Sequence, residues 1–398
     1  MEPSPTAGLA QHWSLDPEVV FLNHGSFGAC PRPVLDYQTE LRARMEREPV
    51  RFLARELEGM IDGARAMLAA FLGAGVDDLV FVRNATSGVN AVLQHLPLGP
   101  GDELLVGDQE YNACRNVVDF VAARAGATVR QVAVPFPLAS EDQVVEAFLA
   151  GVGPRTKLAL FDHVTSQTGV VFPAARLAAA LRERGVRVLV DGAHAPGMLP
   201  LDLSALGADY YTGNLHKWVC APKGAAFLWV RRELQPEVRP AVISHGANAD
   251  ARARSRFQLE FGWTGTDDPT PWLCVPEALR FLGGLFPGGW PEHMRRNREQ
   301  ALRGRAVVAE ALGVALPAPD SMIGTLGAVP LPDGGGEPSS YLYVDPLQTA
   351  LYRDHGIEVP VIPWPAPPKR LVRVSAQAYN RDEDYRTLAA ALRSMFPA

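Results

Sequence analysis

Apolar positions recur along this chain with two periods, and the two periods take turns. "LEGMIDGARAMLAAFLG" (57–73) spaces its apolar residues as a helix does and stops at Gly73. "LVFVRNATSGVNAVLQHL" (79–96) predicts a short strand, a Thr-Ser-Gly turn and a helix. "DELLVGDQEYNACRNVVDFVAARAG" (102–126) repeats that order, and "ATVRQVAV" (127–134) is a further strand. "KLALFDHVTSQTG" (157–169) is a strand with a polar exit, and "ARLAAALRERG" (175–185) a helix closing on Gly185. "VRVLVDGAHAPG" (186–197), "GADYYTGNLHKW" (207–218) and "GAAFLWV" (224–230) complete the set. Such alternation predicts an α/β fold, with a mostly parallel central sheet and helices on both faces.

From about residue 275 the pattern changes. Helices at "VPEALRFLGGLF" and "MRRNREQALRGRAVVAEALG" precede short strands around "SMIGTLGAVPL", "YLYV" and "RLVRVSAQAYN". This reads as a smaller α+β C-terminal domain, with "PDGGGEPSS" (332–340) as a connector. The expected division is an N-terminal segment 1–20 packing on the small domain, a large domain 21–270 and a small domain 271–398.

Composition narrows the function classes. The net charge is −6, and no dense Lys/Arg stripe is present, which argues against nucleic-acid binding. No run approaches the ~20 apolar residues of a membrane span. The N-terminus lacks the basic and apolar regions of a signal peptide. Cys30, Cys114, Cys220 and Cys274 are scattered, as in reduced cytoplasmic proteins, and no metal-ligand spacing is seen. The expected location is therefore cytoplasmic.

Lysine is scarce: only Lys157, Lys217, Lys223 and Lys369 occur, and arginine supplies the remaining positive charge. Lys217, in "TGNLHKWVC", has apolar neighbours Trp218, Val219 and Cys220. A lysine there suits amine chemistry, since lysine can lose its proton and arginine cannot. Lys223, in a turn before a strand, is the more exposed rival. Asp191 ends a buried apolar strand, where a carboxylate is costly without a cationic partner. The protonated ring nitrogen of pyridoxal phosphate would be such a partner; a turn or N-cap aspartate is the plainer reading. Thr86, Ser87 and Gly88 precede a helix, as in a phosphate cup or an ordinary N-cap. Arg373, in a C-terminal strand, suits a substrate carboxylate or a surface ion pair.

"DGAHAPG", "TGNLHKW" and "PKG", with "NATSGVN" upstream and "RVSAQAYN" downstream, resemble the class V aminotransferase group of fold-type-I pyridoxal-phosphate enzymes. "FLNHGSFGACPRPV" (21–34), "EPVRFL" (48–53) and "FDHVTSQTG" (161–169) are similar to its isopenicillin N epimerase branch. The resemblance spans nearly the whole chain. It implies that Lys217 forms the internal aldimine and moves the Cα proton, and that Asp191 pairs with the ring nitrogen. It places His194 and Ser166 near the phenolic oxygen of the cofactor. Thr86, Ser87, Asn214 and His216 would hold the phosphate, and Tyr111, or Asn112 beside it, would stack on the ring. Arg373 would bind the substrate carboxylate, with Asn23 lining the pocket. The active site would form at a homodimer interface, where Gly265 and Thr266 in "FGWTGTDDP" reach the partner's phosphate.

The implied reaction acts at Cα of an amino acid and is epimerase-like. A β-eliminating C–S lyase, an aminotransferase and a non-catalytic binding protein are the alternatives. A persulfide-forming desulfurase is disfavoured, because no cysteine lies beyond Cys274. Cys220 reads as packing. His24, Tyr111 and Tyr379 are candidates for a second acid, with a structural role the equal alternative for each.

Overall fold

The computed structural model describes residues 8–250, 254–334 and 345–397. Its large sheet has seven strands: β1 (Leu79–Val82), β2 (Glu103–Gly107), β3 (Thr128–Val132), β4 (Thr156–Asp162), β5 (Arg187–Asp191), β6 (Tyr210–Asn214) and β7 (Ala226–Val230). Their order is β1-β7-β6-β5-β4-β2-β3. Strand β7 runs antiparallel to both its neighbours, and the other pairs are parallel.

The strands read as continuous apolar runs because both sheet faces are covered. Alternate residues of one strand enter different cores. Ala159 and Phe161 of β4 pack with Leu177 of the helix Ala174–Glu183 and Leu68 of the helix α1 (Leu57–Leu72). Leu158 and Leu160 pack on the opposite face with Val89 of α2 (Ala85–Leu93) and Val118 of α3 (Asn112–Ala125).

Helix α2 starts earlier than its sequence suggests. Thr86, Ser87 and Gly88 lie inside its first turn, and Asn84 is the cap, accepting from the Ser87 N–H at 2.8 Å. The asparagine oxygen meets an otherwise unpaired helix N–H and so sets the boundary. Gly88 is required by packing. A Cβ there would stand 2.2 Å from Thr212 Oγ1 on β6, whose hydroxyl donates to the Phe227 carbonyl at 2.8 Å.

The second sheet comprises β8 (Leu326–Leu331), β9 (Val361–Pro363) and β10 (Arg370–Ser375), antiparallel in the order β9-β10-β8. Helices α4 (Gly289–Leu312) and α5 (Asp382–Met395) share its core, through Val308 and Leu388 against Val329 and Val372. The helix Val275–Gly283 instead contributes Val275 and Ala278 to the large core beside Leu68. The expected strand "YLYV" (341–344) and the connector beyond residue 334 lie outside the described residues.

The N-terminal segment is tied to the small sheet's side of the molecule. Val20–Phe21 pairs in parallel with Ile357–Glu358. Asn23 then donates to Glu358 Oε1 at 2.8 Å, and His24 N–H to Ser375 Oγ at 2.9 Å.

Gly88→Ala should destabilise the chain by about 1–3 kcal/mol, the usual range for overpacking a tight contact. A urea titration reads this as a lower midpoint; an unchanged midpoint would show that α2 can move off β6.

Candidate active site

The ends of β4, β5 and β6 carry Asp162, Asp191 and Asn214, and Asp162 and Asp191 are registered partners across the two parallel strands. Carboxyl ends of parallel strands are where α/β sheets hold ligands. A cavity of about 380 Å³ opens there. It brings together Thr86, Tyr111, Ser166, Asp191, His194, Asn214, His216 and Lys217 from across the large domain.

Asp191 is buried. Its Oδ1 accepts from the Ala193 N–H at 2.9 Å and its Oδ2 from Cys114 Sγ at 3.0 Å. Burial pushes its carboxyl up, while Cys114, the Ala193 N–H and Lys217 favour the anion. Among the described residues it has no ion-pair partner, so its remaining capacity is directed at whatever cation the cavity receives.

Lys217 is partly buried at the cavity wall. Burial, followed by the charge of Arg373, lowers its amine to about 8. Its Nζ lies 2.9 Å from His194 Nε2, and Trp218 Nε1 donates to His194 Nδ1 at 3.4 Å. An indole N–H can only donate, so the accepting Nδ1 leaves the proton of the neutral ring on Nε2. Nε2–H then points at Lys217, an arrangement suited to an uncharged amine. Burial, then Lys217, keeps His194 well below the ordinary histidine range.

The lysine's backbone is held from beneath. His24 Nε2 lies 3.0 Å from the Lys217 carbonyl and its Nδ1 lies 2.8 Å from Tyr379 Oη. A carbonyl only accepts, so Nε2 carries the proton and Nδ1 accepts from the phenol. Burial lowers His24 to about 3, which keeps this ring neutral. His24 and Tyr379 are thus support for the turn, which corrects their reading as candidate second acids. Cys220 packs in the same cluster, with φ of 55° and Gln377 Nε2 3.4 Å from its Sγ. Gly28 closes the loop over this turn: a Cβ would meet the His216 carbonyl at 2.0 Å, and φ is 69°.

At the other end of the cavity, Asn214 Oδ1 accepts from the Ala85 N–H at 2.8 Å, joining β6 to the start of α2. Thr86 lines the cavity. Ser87 does not. Its hydroxyl donates to Asn84 at 3.0 Å and borders a neighbouring cleft with Phe81 and Thr264. The expected phosphate contact of Ser87 is therefore replaced by its role in capping. His216 lines the wall, its Nδ1 3.3 Å from the Ala225 carbonyl, and burial followed by Lys217 lowers it to about 4. A bound phosphate dianion would favour its protonated form.

Arg373 is buried, and burial lowers it to about 10. Its Nη1 donates to the Ser166 carbonyl and its Nη2 to Ser26 Oγ at 3.1 Å. Its Nε has no acceptor, and among the described residues no carboxylate pairs with it. Asn23 stands one step back from the cavity: its side chain binds Glu358 and receives the Ser26 hydroxyl at 2.5 Å. That places it behind the wall rather than on it. Tyr111 lines the cavity, whereas Asn112 is simply the first residue of α3. Gly265 and Thr266 are exposed and do not line it. Lys223 is exposed as a residue, with its Nζ donating to the Gly28 carbonyl at 2.9 Å.

Sequence reasoning missed Asp162, Glu110, Ser26 and the cap Asn84. For Asp162 the signal was present, since "KLALFD" ends an apolar strand in an aspartate just as "VRVLVD" does. The other three depend on contacts from distant elements. Among the described residues no cluster of His, Cys, Asp and Glu could hold a metal ion, and no helix is long and apolar enough to cross a membrane.

The donor set fits pyridoxal phosphate: a buried strand-end carboxylate with unspent charge for a ring cation, an amine held near neutrality for an aldehyde, and a helix start for a phosphate. Comparison with known proteins agrees. An isopenicillin N epimerase of Amycolatopsis lactamdurans is 40% identical, covering 98% of this chain and 98% of that protein. A putative L-cysteine desulfhydrase of Oryza sativa subsp. japonica is 34% identical, over 95% of this chain and 83% of its own length. A cysteine desulfurase structure from Thermococcus onnurineus NA1 has a TM-score of 0.79 at 20% identity, covering 98% of this chain and 97% of that one, a likeness of fold. The class V aminotransferase family matches residues 30–284. The chain belongs to the class V aminotransferase family and is an enzyme dependent on that family's cofactor, pyridoxal 5'-phosphate.

Proposed function

We propose that this enzyme moves the Cα proton of an amino-acid substrate and that epimerisation is the outcome. The observation that carries the reading is Arg373, a buried guanidinium with an unspent Nε donor and no carboxylate partner among the described residues. Such a group is costly until an anion meets it, and an α-carboxylate has the matching two-pronged geometry. Bound pyridoxal phosphate supplies an electron sink for charge developing at Cα. Asp191 would hold the cofactor's ring nitrogen, and Thr86, Asn214, His216 and the start of α2 would hold its phosphate end. His194 and Ser166 would border its phenolic oxygen. Lys217 takes the Cα proton with an amine that burial keeps partly uncharged near neutrality. The identity to an isopenicillin N epimerase supports inversion as the product.

Inversion requires a second proton donor. Of the three candidates in the sequence, only Tyr111 borders the cavity. Burial raises its phenol above the ordinary range, so it carries its proton at neutral pH. We assign it the return of the proton. The exposed Gly265 and Thr266, with Val242 and Ile243 each 55% exposed, suit a homodimer in which that segment completes the partner's phosphate site.

β-Elimination is the second reading, supported by the identity to an L-cysteine desulfhydrase. It shares Lys217 and Arg373 and differs in needing a substrate with a β leaving group. Incubation with pyridoxal phosphate and L-amino acids in D₂O separates the two. Epimerisation gives Cα-deuterated D product without keto acid; pyruvate and sulfide from L-cysteine would establish elimination instead.

Lys217→Ala should abolish borohydride-fixable attachment of pyridoxal phosphate, whereas Lys223→Ala should keep it. Retained attachment in Lys217→Ala would reassign the lysine. In the wild type the attachment rate should rise with pH through a midpoint at about 8, as the amine loses its proton, and level off beyond it. Arg373→Gln removes a charge that lowers this value, so the midpoint should move to higher pH; an unmoved midpoint would separate the two residues. Tyr111→Phe should slow inversion by about 100-fold or more while solvent exchange at the Cα of the L substrate continues. Equal loss of both would make Tyr111 a binding residue only.

A further inference from the structure

A second acidic group stands beside Asp191 in the cavity wall. Asp162 ends β4 in register with Asp191 at the end of β5, is 3% exposed and lines the same cavity. Glu110 reaches it from the turn between β2 and α3 and is 6% exposed. The two carboxyls are close enough for each to alter the other's proton affinity. Glu110 Oε1 accepts from the Gly107 N–H at 3.2 Å, and Asp162 accepts from the Tyr111 N–H. Glu110 Oε2 and Asp162 Oδ1 are buried with no donor from the described residues.

Two carboxylates this close, away from water, cannot both stay charged; one proton between them satisfies both orphaned oxygens. We propose that Glu110 and Asp162 share a single proton, so that Asp162 presents a second anionic group beside Asp191 to the cofactor's ring cation. Tyr111 N–H favours the charge on Asp162, and Glu110 then serves as the neutral donor. The groups facing the pair act on both members. Asp191 on β5 opposes charge at Asp162 and at Glu110, Lys217 beyond β6 favours the anion at Asp162, and Cys114 on α3 keeps its proton. Burial comes first among the causes that push both carboxyls well above their usual range. Glu110 acts through Asp162 and is a positioning residue. The pairing of the two carboxyls stands on the chain alone, and their effect on the ring rests on the placement of Asp191 proposed above.

Infrared spectroscopy of the full-length chain, with and without pyridoxal phosphate, tests the shared proton. The wild type should show a protonated-carboxyl C=O stretch above the amide I band near neutral pH, and Glu110→Gln should lose it. Absence of the band in the wild type, or its persistence in Glu110→Gln, overturns the proposal. Ring-¹⁵N pyridoxal phosphate bound to the protein tests the consequence. Asp162→Asn and Glu110→Leu should both shift the ring-nitrogen resonance towards its unprotonated value. Glu110→Gln, which still donates an N–H to Asp162, should stay near wild type. An unmoved resonance in Asp162→Asn, or equal shifts in Glu110→Gln and Glu110→Leu, would overturn the electrostatic role. If Asp191→Asn moves the resonance while Asp162→Asn does not, the cofactor placement stands and the second anion falls.

Discussion

Charge buried at the ends of β4, β5 and β6 is the constraint around which this molecule is organised. Asp191 is buried at one strand end and Lys217 sits just beyond the next, where each alters the other's proton affinity. Isolated, either charge would be expensive in so dry a place. The fold meets that expense with specific neighbours: Cys114 and the Ala193 N–H for the carboxylate, His194 for the amine. The close packing of α2 on β6 at Gly88 brings the helix start to the same strand ends, so the start of α2 and the Lys217 amine share one cavity.

The small sheet and the N-terminal segment meet beside that cavity, which Ser26 and Ser166 line and Arg373 stands behind. Arg373 arrives on β10, Ser26 from the N-terminal loop and Ser166 from the turn after β4, and the guanidinium ties all three together. His24 crosses from the same loop to hold the Lys217 carbonyl, and Tyr379 fixes its tautomer. These contacts join chain ends hundreds of residues apart and place the small domain against the lysine's turn. The two proposed reactions, epimerisation and β-elimination, would both use Lys217 and Arg373. What distinguishes them is the group that returns a proton and the substituent the substrate carries.

Much of the large domain was legible because its signals are local. Apolar runs bounded by glycine and polar turns follow from strand and helix periods, and they placed β1 to β7 and most of the helices between them, though not the helix Glu141–Gly151. Asp191 and Lys217 stood out for similar reasons, one as a charge ending an apolar strand and the other as a scarce lysine with apolar neighbours. The start of α2 was misjudged because Thr-Ser-Gly carries turn propensity, while the asparagine oxygen of Asn84 capped a helix that begins four residues earlier than the motif suggested.

The sequence by itself determined the order of strands and helices and which residues have the chemistry to act, since both are properties of neighbouring residues. The tertiary structure decided which of them face the cavity. His24, Tyr111 and Tyr379 are equivalent as types, yet packing turns two of them into supports and leaves Tyr111 on the wall. It also set Glu110 against Asp162, residues on different elements whose meeting depends on how α3 crosses the sheet. Proton affinity is a property of surroundings, and those surroundings exist only once distant segments have closed on one another.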